Sequence, residues 1–148
     1  MMRKIRVLVV DDSVVVRRVV MDELSSQPDI EVVGAAGSGR AALEKLSQLE
    51  PDLVILDIEM PEMDGLTALS EMRRTHARLP LIMFSSLTEL GAAATLDALS
   101  RGASDFFAKP RSSGGLDDSR QIIRAELLPA IRALCARSVV SDRVGAST

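Results

Sequence analysis

A doubly wound α/β fold, five parallel strands with helices on both faces, is the class this sequence predicts. Three observations predict it. Five short apolar runs, each closed by turn residues, alternate with stretches of helical periodicity. The runs are rich in Val, Ile and Leu, as strands buried on both faces of a parallel sheet read. The connections are short, which leaves strand–helix repeats with right-handed crossovers and few other topologies.

Ile5 to Val10 is the first strand, and it ends at Asp11-Asp12-Ser13, where Asp12 or Ser13 can cap the next helix. That helix runs from about Val14 to Ser26, with Val16, Val20 and Leu24 on one face. Its β-branched residues are weak helix formers, so periodicity and topology carry the assignment. Pro28-Asp29 breaks it. Ile30 to Ala36 is a second strand whose small residues and Gly34 suit a sheet edge. Ser38-Gly39 opens a helix with Ala42, Leu43, Leu46 and Leu49 as its inner stripe.

Leu53 to Leu56 is the third strand, running straight into Asp57 and an acidic loop with Pro61 and an Asp64-Gly65 turn. A helix follows with Leu66, Leu69 and Met72 inward and Arg73-Arg74 at its C-terminus, where cations suit the dipole. Leu81 to Phe84 is the fourth strand and ends at Ser85-Ser86. The Ala-rich helix from about Glu89 to Arg101 stops at Gly102, and Ala103 to Ala108 form a fifth strand that ends at Lys109-Pro110. A loop through Ser112 to Gly115 then leads to Asp117-Asp118-Ser119, read as the cap of a last helix. That helix carries the stripe Ile123, Leu127, Ile131 and Leu134. Pro129 inside it predicts a kink or local break. The strand order this pattern favours is flavodoxin-like, 2-1-3-4-5, with five helices.

The bulk numbers fit one domain. The chain has 148 residues, 47% of them apolar, with three Phe and neither Trp nor Tyr, so the core must be aliphatic. Without aromatic platforms and at a formal charge of -3, it suits neither single-stranded nucleic acid nor a general phosphate backbone. A lone Cys135 excludes an internal disulfide and fits a reducing compartment. No run is long enough to span a membrane, and the apolar run after Met1-Met2-Arg3-Lys4 is too short for a signal sequence. The expectation is a cytoplasmic domain over 1–136, with 137–148 as a polar tail or the start of an interdomain linker.

In open α/β sheets, chemistry gathers outside the carboxyl ends of the strands. Those ends carry Asp11 and Asp12, Asp57, Ser85 and Lys109. In the order 2-1-3-4-5 the first and third strands are neighbours, so three carboxylates converge. Like charges that close need a cation among them, and oxygen donors without supporting His or Cys favour Mg²⁺ over zinc. His76, the only histidine, sits at a helix end and reads as a surface residue. One carboxylate could attack phosphorus, with Lys109 and Mg²⁺ neutralising the transferring oxygens and Ser85 donating to one of them. Asp57, on the central strand, is the best nucleophile. Each residue alone has an ordinary reading as a cap, a loop acid or a solvated charge; the joint arrangement predicts phosphoryl transfer.

Asp11-Asp12, Asp57, Ser85 and Lys109-Pro110, in that order, resemble the receiver domains of two-component response regulators, whose fold is the CheY-like form of this sheet. The resemblance spans about residues 5 to 136. It implies that Asp57 accepts a phosphoryl group from a histidine kinase. Mg²⁺ would be held by Asp12, Asp57 and the backbone carbonyl of Glu59, with Asp11 acting through water. Lys109 would pair with the phosphoryl group, and Lys109-Pro110 would be a cis peptide. The stretches from Asp57 to Leu66, Ser85 to Glu89 and Gly102 to Pro110 are similar, more narrowly, to the regulatory domain of chemotaxis protein-glutamate methylesterases. There the receiver restrains a C-terminal hydrolase until it is phosphorylated. This chain has no Gly-x-Ser-x-Gly elbow and no hydrolase triad. It departs from the family's pattern with Ser85 where Thr is commoner, with Phe106 at the aromatic switch position, and with the long Ser112 to Gly115 loop. Ser85 and Phe106 are the expected switch pair: phosphorylation would draw Ser85 inward and open space for Phe106.

Three alternatives have specific requirements. A free-standing receiver would act by protein–protein binding alone. A haloacid-dehalogenase-type phosphatase wants an Asp two residues after its nucleophile, on the first strand, whereas Glu59 follows Asp57 on the third. A flavodoxin-like cofactor binder needs a phosphate-cradling loop after the first strand, where Asp11-Asp12 would repel phosphate.

Overall fold

The computed structural model describes residues 3–60, 62–85, 92–109 and 115–136. In chain order the elements are β1 (Ile5–Val10), α1 (Val14–Ser25), β2 (Ile30–Ala36), α2 (Gly39–Leu49), β3 (Leu53–Asp57), α3 (Gly65–Thr75), β4 (Leu81–Ser85), α4 (Ala92–Ser100), β5 (Asp105–Ala108) and α5 (Gly115–Ile122). The strands form one parallel sheet in the order β2-β1-β3-β4-β5, as the sequence predicts. Among the described residues no helix is long and apolar enough to cross a membrane.

The central strands β1, β3 and β4 have two buried faces because their apolar runs are nearly unbroken, and alternate residues enter different cores. Val7, Val9, Ile55, Ile82 and Phe84 join Val20 and Leu24 of α1 and the buried stripe Ile123, Leu127 and Ile131. Leu8, Val10, Val54, Leu56, Leu81 and Met83 join Ala42 and Leu46 of α2, Leu69 and Met72 of α3, and Ala98 of α4. Burying a Leu or Met side chain of this kind stabilises the fold by roughly 1.5–3 kcal/mol. With so few aromatics, aliphatic side chains do nearly all of this work.

Polar side chains set the helix starts. Ser13 caps α1 by accepting from Val16 N–H, Ser38 caps α2 through Ala41 N–H, and Asp64 caps α3 through Thr67 N–H. Val14 and Val15 remain exposed, so α1 is held by the burial of Val19, Val20 and Leu24 rather than by propensity. Glu23, on the same buried side, is 4% exposed and forms a two-pronged ion pair with Arg124 at 2.8 and 3.0 Å, which ties α1 to the last helix. At the β2 edge the pairing with β1 slips by one residue after Val32, and Gly34 resumes the register opposite Leu8. A Cβ at Gly34 would stand 2.7 Å from Leu49 Cδ1.

Two boundaries differ from the sequence reading. β5 begins at Asp105, not Ala103, because the preceding residues finish α4: Gly102 N–H donates to Leu99 O and Ala103 N–H to Ala98 O, with Gly102 at φ +107°. The last helix begins at Gly115, so Asp117, Asp118 and Ser119 lie inside it instead of capping it. Acidic residues suit the first turn of a helix as well as its cap, and their spacing alone does not separate the two. Pro129 acts as expected. One turn ahead of it, Ile123–Leu127 winds as a π-helix, and Leu128 N–H donates to Ile123 O. Proline lacks an N–H and crowds the carbonyl four residues back, and the wider turn relieves both before α-helix resumes through 136. The start of the α4 helix, the Lys109-Pro110 peptide geometry, the Ser112 to Gly114 loop and the 137–148 tail lie outside the described residues.

Gly65 fixes how closely α3 approaches the end of β3. Its N–H donates to Ile58 O at 2.8 Å, and an added Cβ would lie 2.0 Å from Asp57 O and 2.6 Å from Ile58 Cα. No rotamer relieves a backbone clash. Gly65→Ala is therefore expected to cost about 1–3 kcal/mol, read as a lower urea midpoint, and to shift the amide resonances of Asp57 and Ile58 more than those of β1.

Candidate functional site

Parallel pairing of β1 with β3, in register from Val7–Leu53 to Val10–Leu56, brings the next residues of both strands to one edge. Those residues are acids. Asp11 is 3% exposed and Asp57 is fully buried, while Asp12 is exposed at the rim. One carboxylate oxygen from each of Asp11, Asp12 and Asp57 lies within 4.8 Å of the others. Pairing of β4 with β5 delivers the partners: Ser85 is fully buried and lies opposite Ala108, and its carbonyl accepts from Lys109 N–H at 2.7 Å.

Lys109 turns its ammonium back into the acids. Its Nζ lies 2.7 Å from Asp57 Oδ1 and 3.0 Å from Asp11 Oδ2, with 12% of its side chain exposed. Asp57 Oδ1 also accepts from Glu59 N–H at 3.1 Å. Asp57 Oδ2 is buried without a hydrogen-bond partner among the described residues. Asp11 Oδ1 accepts from Ser13 N–H at 2.8 Å, and Asp11 O accepts from Arg17 Nη1 at 2.7 Å.

Burial pushes the Asp57 carboxyl up to about 7. The Lys109 bond opposes that rise, the Asp11 charge adds to it, and the Glu59 N–H opposes it more weakly. Burial alone would lower the Lys109 ammonium, but its bond to Asp57 and the charges of Asp11 and Asp57 outweigh burial and hold it above its ordinary value. Among the described residues, three carboxylates face one ammonium, which leaves negative charge in excess.

The residues present fit a hard dication. Among the described residues, all the donors are oxygens, one buried carboxylate oxygen lacks a partner, and no Cys or His belongs to the cluster. Asp11, Asp12 and Asp57 are the side chains able to hold it. The structure thus brings Asp11, Asp12, Asp57 and Lys109 together, with Ser85 beside them. Glu59, expected only for its backbone carbonyl, also offers its side chain: Ser85 Oγ donates to Glu59 Oε1 at 3.4 Å. The available signal was the acid two residues beyond a strand-end Asp, but nothing in its spacing says which way that side chain turns. Phe106 lies apart from the acids on β5, opposite Met83, and packs half-buried against the core beneath α3 and α4. His76 caps the far end of α3, remote in role from the cluster. Sequence reasoning also passed over Arg17, whose bond to a backbone carbonyl leaves no mark in composition or spacing.

Several known proteins are similar to this chain. The family model described as the response regulator receiver domain matches residues 7–120. A protein-glutamate methylesterase/protein-glutamine glutaminase from Nocardioides sp. is 58% identical over 133 residues, covering 90% of this chain and 36% of the relative. The protein of the same name from Trichodesmium erythraeum is 51% identical over 138 residues, covering 93% and 39%. The chain therefore spans little more than a third of the length of these relatives. The crystal structure of the response regulator domain of Thermotoga maritima CheB has a TM-score of 0.80 and 46% identity, covering 90% of this chain and 98% of that one. The Borrelia burgdorferi CheX-CheY-BeF3-Mg+2 complex contains a chain with a TM-score of 0.68 and 30% identity, covering 81% and 88%.

The raised Asp57 carboxyl has a consequence for stability without metal. Unfolded, the group titrates near about 4; folded, it titrates at about 7. Between those values the folded state holds the extra proton, so stability should fall as pH rises from about 4 to about 7 and then level off. Lys109 is raised, so its contribution is lost only above its ordinary value, outside this window. Urea midpoints measured across that range with a chelator present should show the slope in the wild type and lose it in Asp57→Asn.

Proposed function

This chain belongs to the response regulator receiver family, in its CheB-type branch, and from that premise we propose that Asp57 accepts a phosphoryl group from a histidine kinase. The single observation that carries the reading is the state of the Asp57 carboxylate. It is wholly buried, one oxygen is held by Lys109 and Glu59 N–H, and the other has no partner among the described residues. A buried carboxylate arranged this way is oriented for attack and stabilised by little else.

In the proposed reaction a carboxylate oxygen of Asp57 forms a bond to phosphorus as the phosphorus–nitrogen bond of a phosphohistidine breaks. The electron pair stays on the departing imidazole nitrogen. Lys109, 2.7 Å from Asp57 Oδ1, is placed to neutralise a phosphoryl oxygen on the product. Ser85 is placed to give its hydroxyl to another, releasing Glu59 Oε1 as it turns. Asp11, Asp12, Asp57 and the backbone carbonyl of Glu59 are the proposed holders of Mg²⁺. When bound, that ion supplies the positive charge on the phosphoryl oxygens that Lys109 alone does not. The Borrelia relative, solved with BeF3 and Mg+2, supports this assignment by likeness.

Movement of Ser85 toward the phosphoryl group would clear space for Phe106 to turn inward from its half-buried place on β5. That couples the acid cluster to the surface of β4, β5 and their helices. On this reading the receiver unit is 1–136, residues 137–148 begin a linker, and the output is a C-terminal methylesterase in a chemotaxis-type cytoplasmic pathway. The relatives' names and their greater length support that output.

Incubation with acetyl phosphate and Mg²⁺, followed by intact mass, tests the site. The wild type should gain one phosphoryl group, Asp57→Asn none, and multiple turnover of phosphomonoesters would sink the reading in favour of a phosphatase. Lys109→Ala should slow adduct formation by about 10²–10³-fold, the usual loss when one preorganised donor to a developing charge is removed. Ser85→Ala should still be phosphorylated but should lose the chemical-shift change at Phe106 that accompanies a beryllofluoride adduct on the wild type.

A further inference from the structure

We infer that Arg17 is a positioning residue for the cation site: its guanidinium holds the strand-end carbonyl of Asp11 and so keeps the Asp12 carboxylate facing Asp57. The inference rests on the reading above, that Asp11, Asp12 and Asp57 hold a divalent cation. Arg17 Nη1 donates to Asp11 O at 2.7 Å. The loop it spans is closed from within by Ser13 N–H on Asp11 Oδ1 at 2.8 Å, by Val16 N–H on Ser13 Oγ at 3.3 Å, and by Arg17 N–H on Ser13 O at 3.0 Å. Asp11 N–H donates across to Ala36 O of β2 at 3.0 Å. Every polar group of Asp11 is therefore engaged: its N–H by β2, its carbonyl by Arg17, and its carboxylate by Ser13 and Lys109.

Asp12 is the contrast. It is exposed and makes no hydrogen bond or ion pair among the described residues, yet one of its oxygens lies within 4.8 Å of those of Asp11 and Asp57. Nothing attractive holds that carboxylate against two others. Its place follows from the backbone on either side, and Arg17 pins the carbonyl immediately before it.

Arg17 is not an ordinary surface cation. It is half-buried and has no ion pair among the described residues. An added Cβ on Gly37 would come within 3.3 Å of its Nη1, so the group lies between the ends of β1 and β2. Two effects of opposite sign follow. The positive charge opposes a dication entering the pocket. The bond orders the loop beforehand, removing a cost that binding would otherwise carry. Residues that orient metal ligands from outside are commonly worth about 10–100-fold in affinity, whereas a half-exposed charge is screened by solvent and salt. Orientation wins.

That opposition of signs makes the test sharp. Mg²⁺ is titrated calorimetrically into the unphosphorylated chain, wild type and Arg17→Met. Positioning predicts a Kd raised about 10-fold, together with faster amide hydrogen exchange at Ser13 and little change in the urea midpoint. A charge effect alone predicts tighter binding in the variant, and tighter or unchanged binding overturns the inference. Arg17→Gln stays polar on a half-exposed helix and is too short to reach the carbonyl. It carries the same expectation if Arg17→Met does not fold. If the wild type itself takes up no Mg²⁺, the cation site fails as a whole, a result distinct from a wild type that binds beside variants that bind as well.

Discussion

Asp11 and Asp57 share the single ammonium of Lys109 at a buried sheet edge, 3.0 and 2.7 Å from its nitrogen, and Asp12 adds a third negative charge at the rim. Where water is excluded, such an imbalance is costly, because attraction to one cation does not cover the desolvation of several acids. Two kinds of species can relieve it. A proton on Asp57 is one, which is why burial drives that carboxyl up to about 7. A divalent cation is the other, and Asp11, Asp12 and Asp57 are the side chains able to hold it. The pocket's charge state is therefore conditional on what neutralises it.

The scaffold exists to hold these charges close against their repulsion. Adjacent parallel strands give Asp11 and Asp57 no freedom to separate, since the ladder from Val7–Leu53 to Val10–Leu56 sets their spacing. Gly65 lets α3 sit directly on the backbone of Asp57, and Asp64 caps that helix, so the acidic loop is closed on both sides. From the opposite edge, the β4–β5 pairing and the Lys109 N–H bond to Ser85 O bring the Lys109 ammonium back in. The two cores on either side of the sheet are mostly aliphatic, and the Glu23–Arg124 pair joins α1 to the last helix. A loose scaffold would let the acids drift apart and lose the raised Asp57 carboxyl.

Much of this was legible residue by residue. The apolar runs marked the strands because both faces of the sheet are covered, and Ser13, Ser38 and Asp64 marked helix starts because caps are local chemistry. Pro129 announced its own distortion, since a missing N–H must be accommodated wherever it falls. What misled was competition between neighbouring elements for the same residues. Ala103 has the composition of a strand, but α4 needs its N–H to finish a helix end. Asp117 to Ser119 look like a cap, but a helix that has already started can carry them equally well. The side-chain contact of Glu59 with Ser85, the burial of Glu23 and the grip of Arg17 on Asp11 O join residues on different elements or reach a backbone atom that sequence does not display.

By itself, the sequence determined the class of the fold, the strand order and the identity of the acids, hydroxyl and lysine at the strand ends. Hydrophobic periodicity, turn chemistry and the handedness of crossovers are properties of short stretches or of chains in general, so they can be read without coordinates. Only the tertiary structure decided the charge balance among those residues. It set which Asp57 oxygen is engaged and which is bare, how far burial raises the carboxyl, and where Lys109 divides its attraction. Desolvation and Coulomb energy depend on distance and on everything packed around a group. Those quantities come into being only when strands remote in sequence lie side by side.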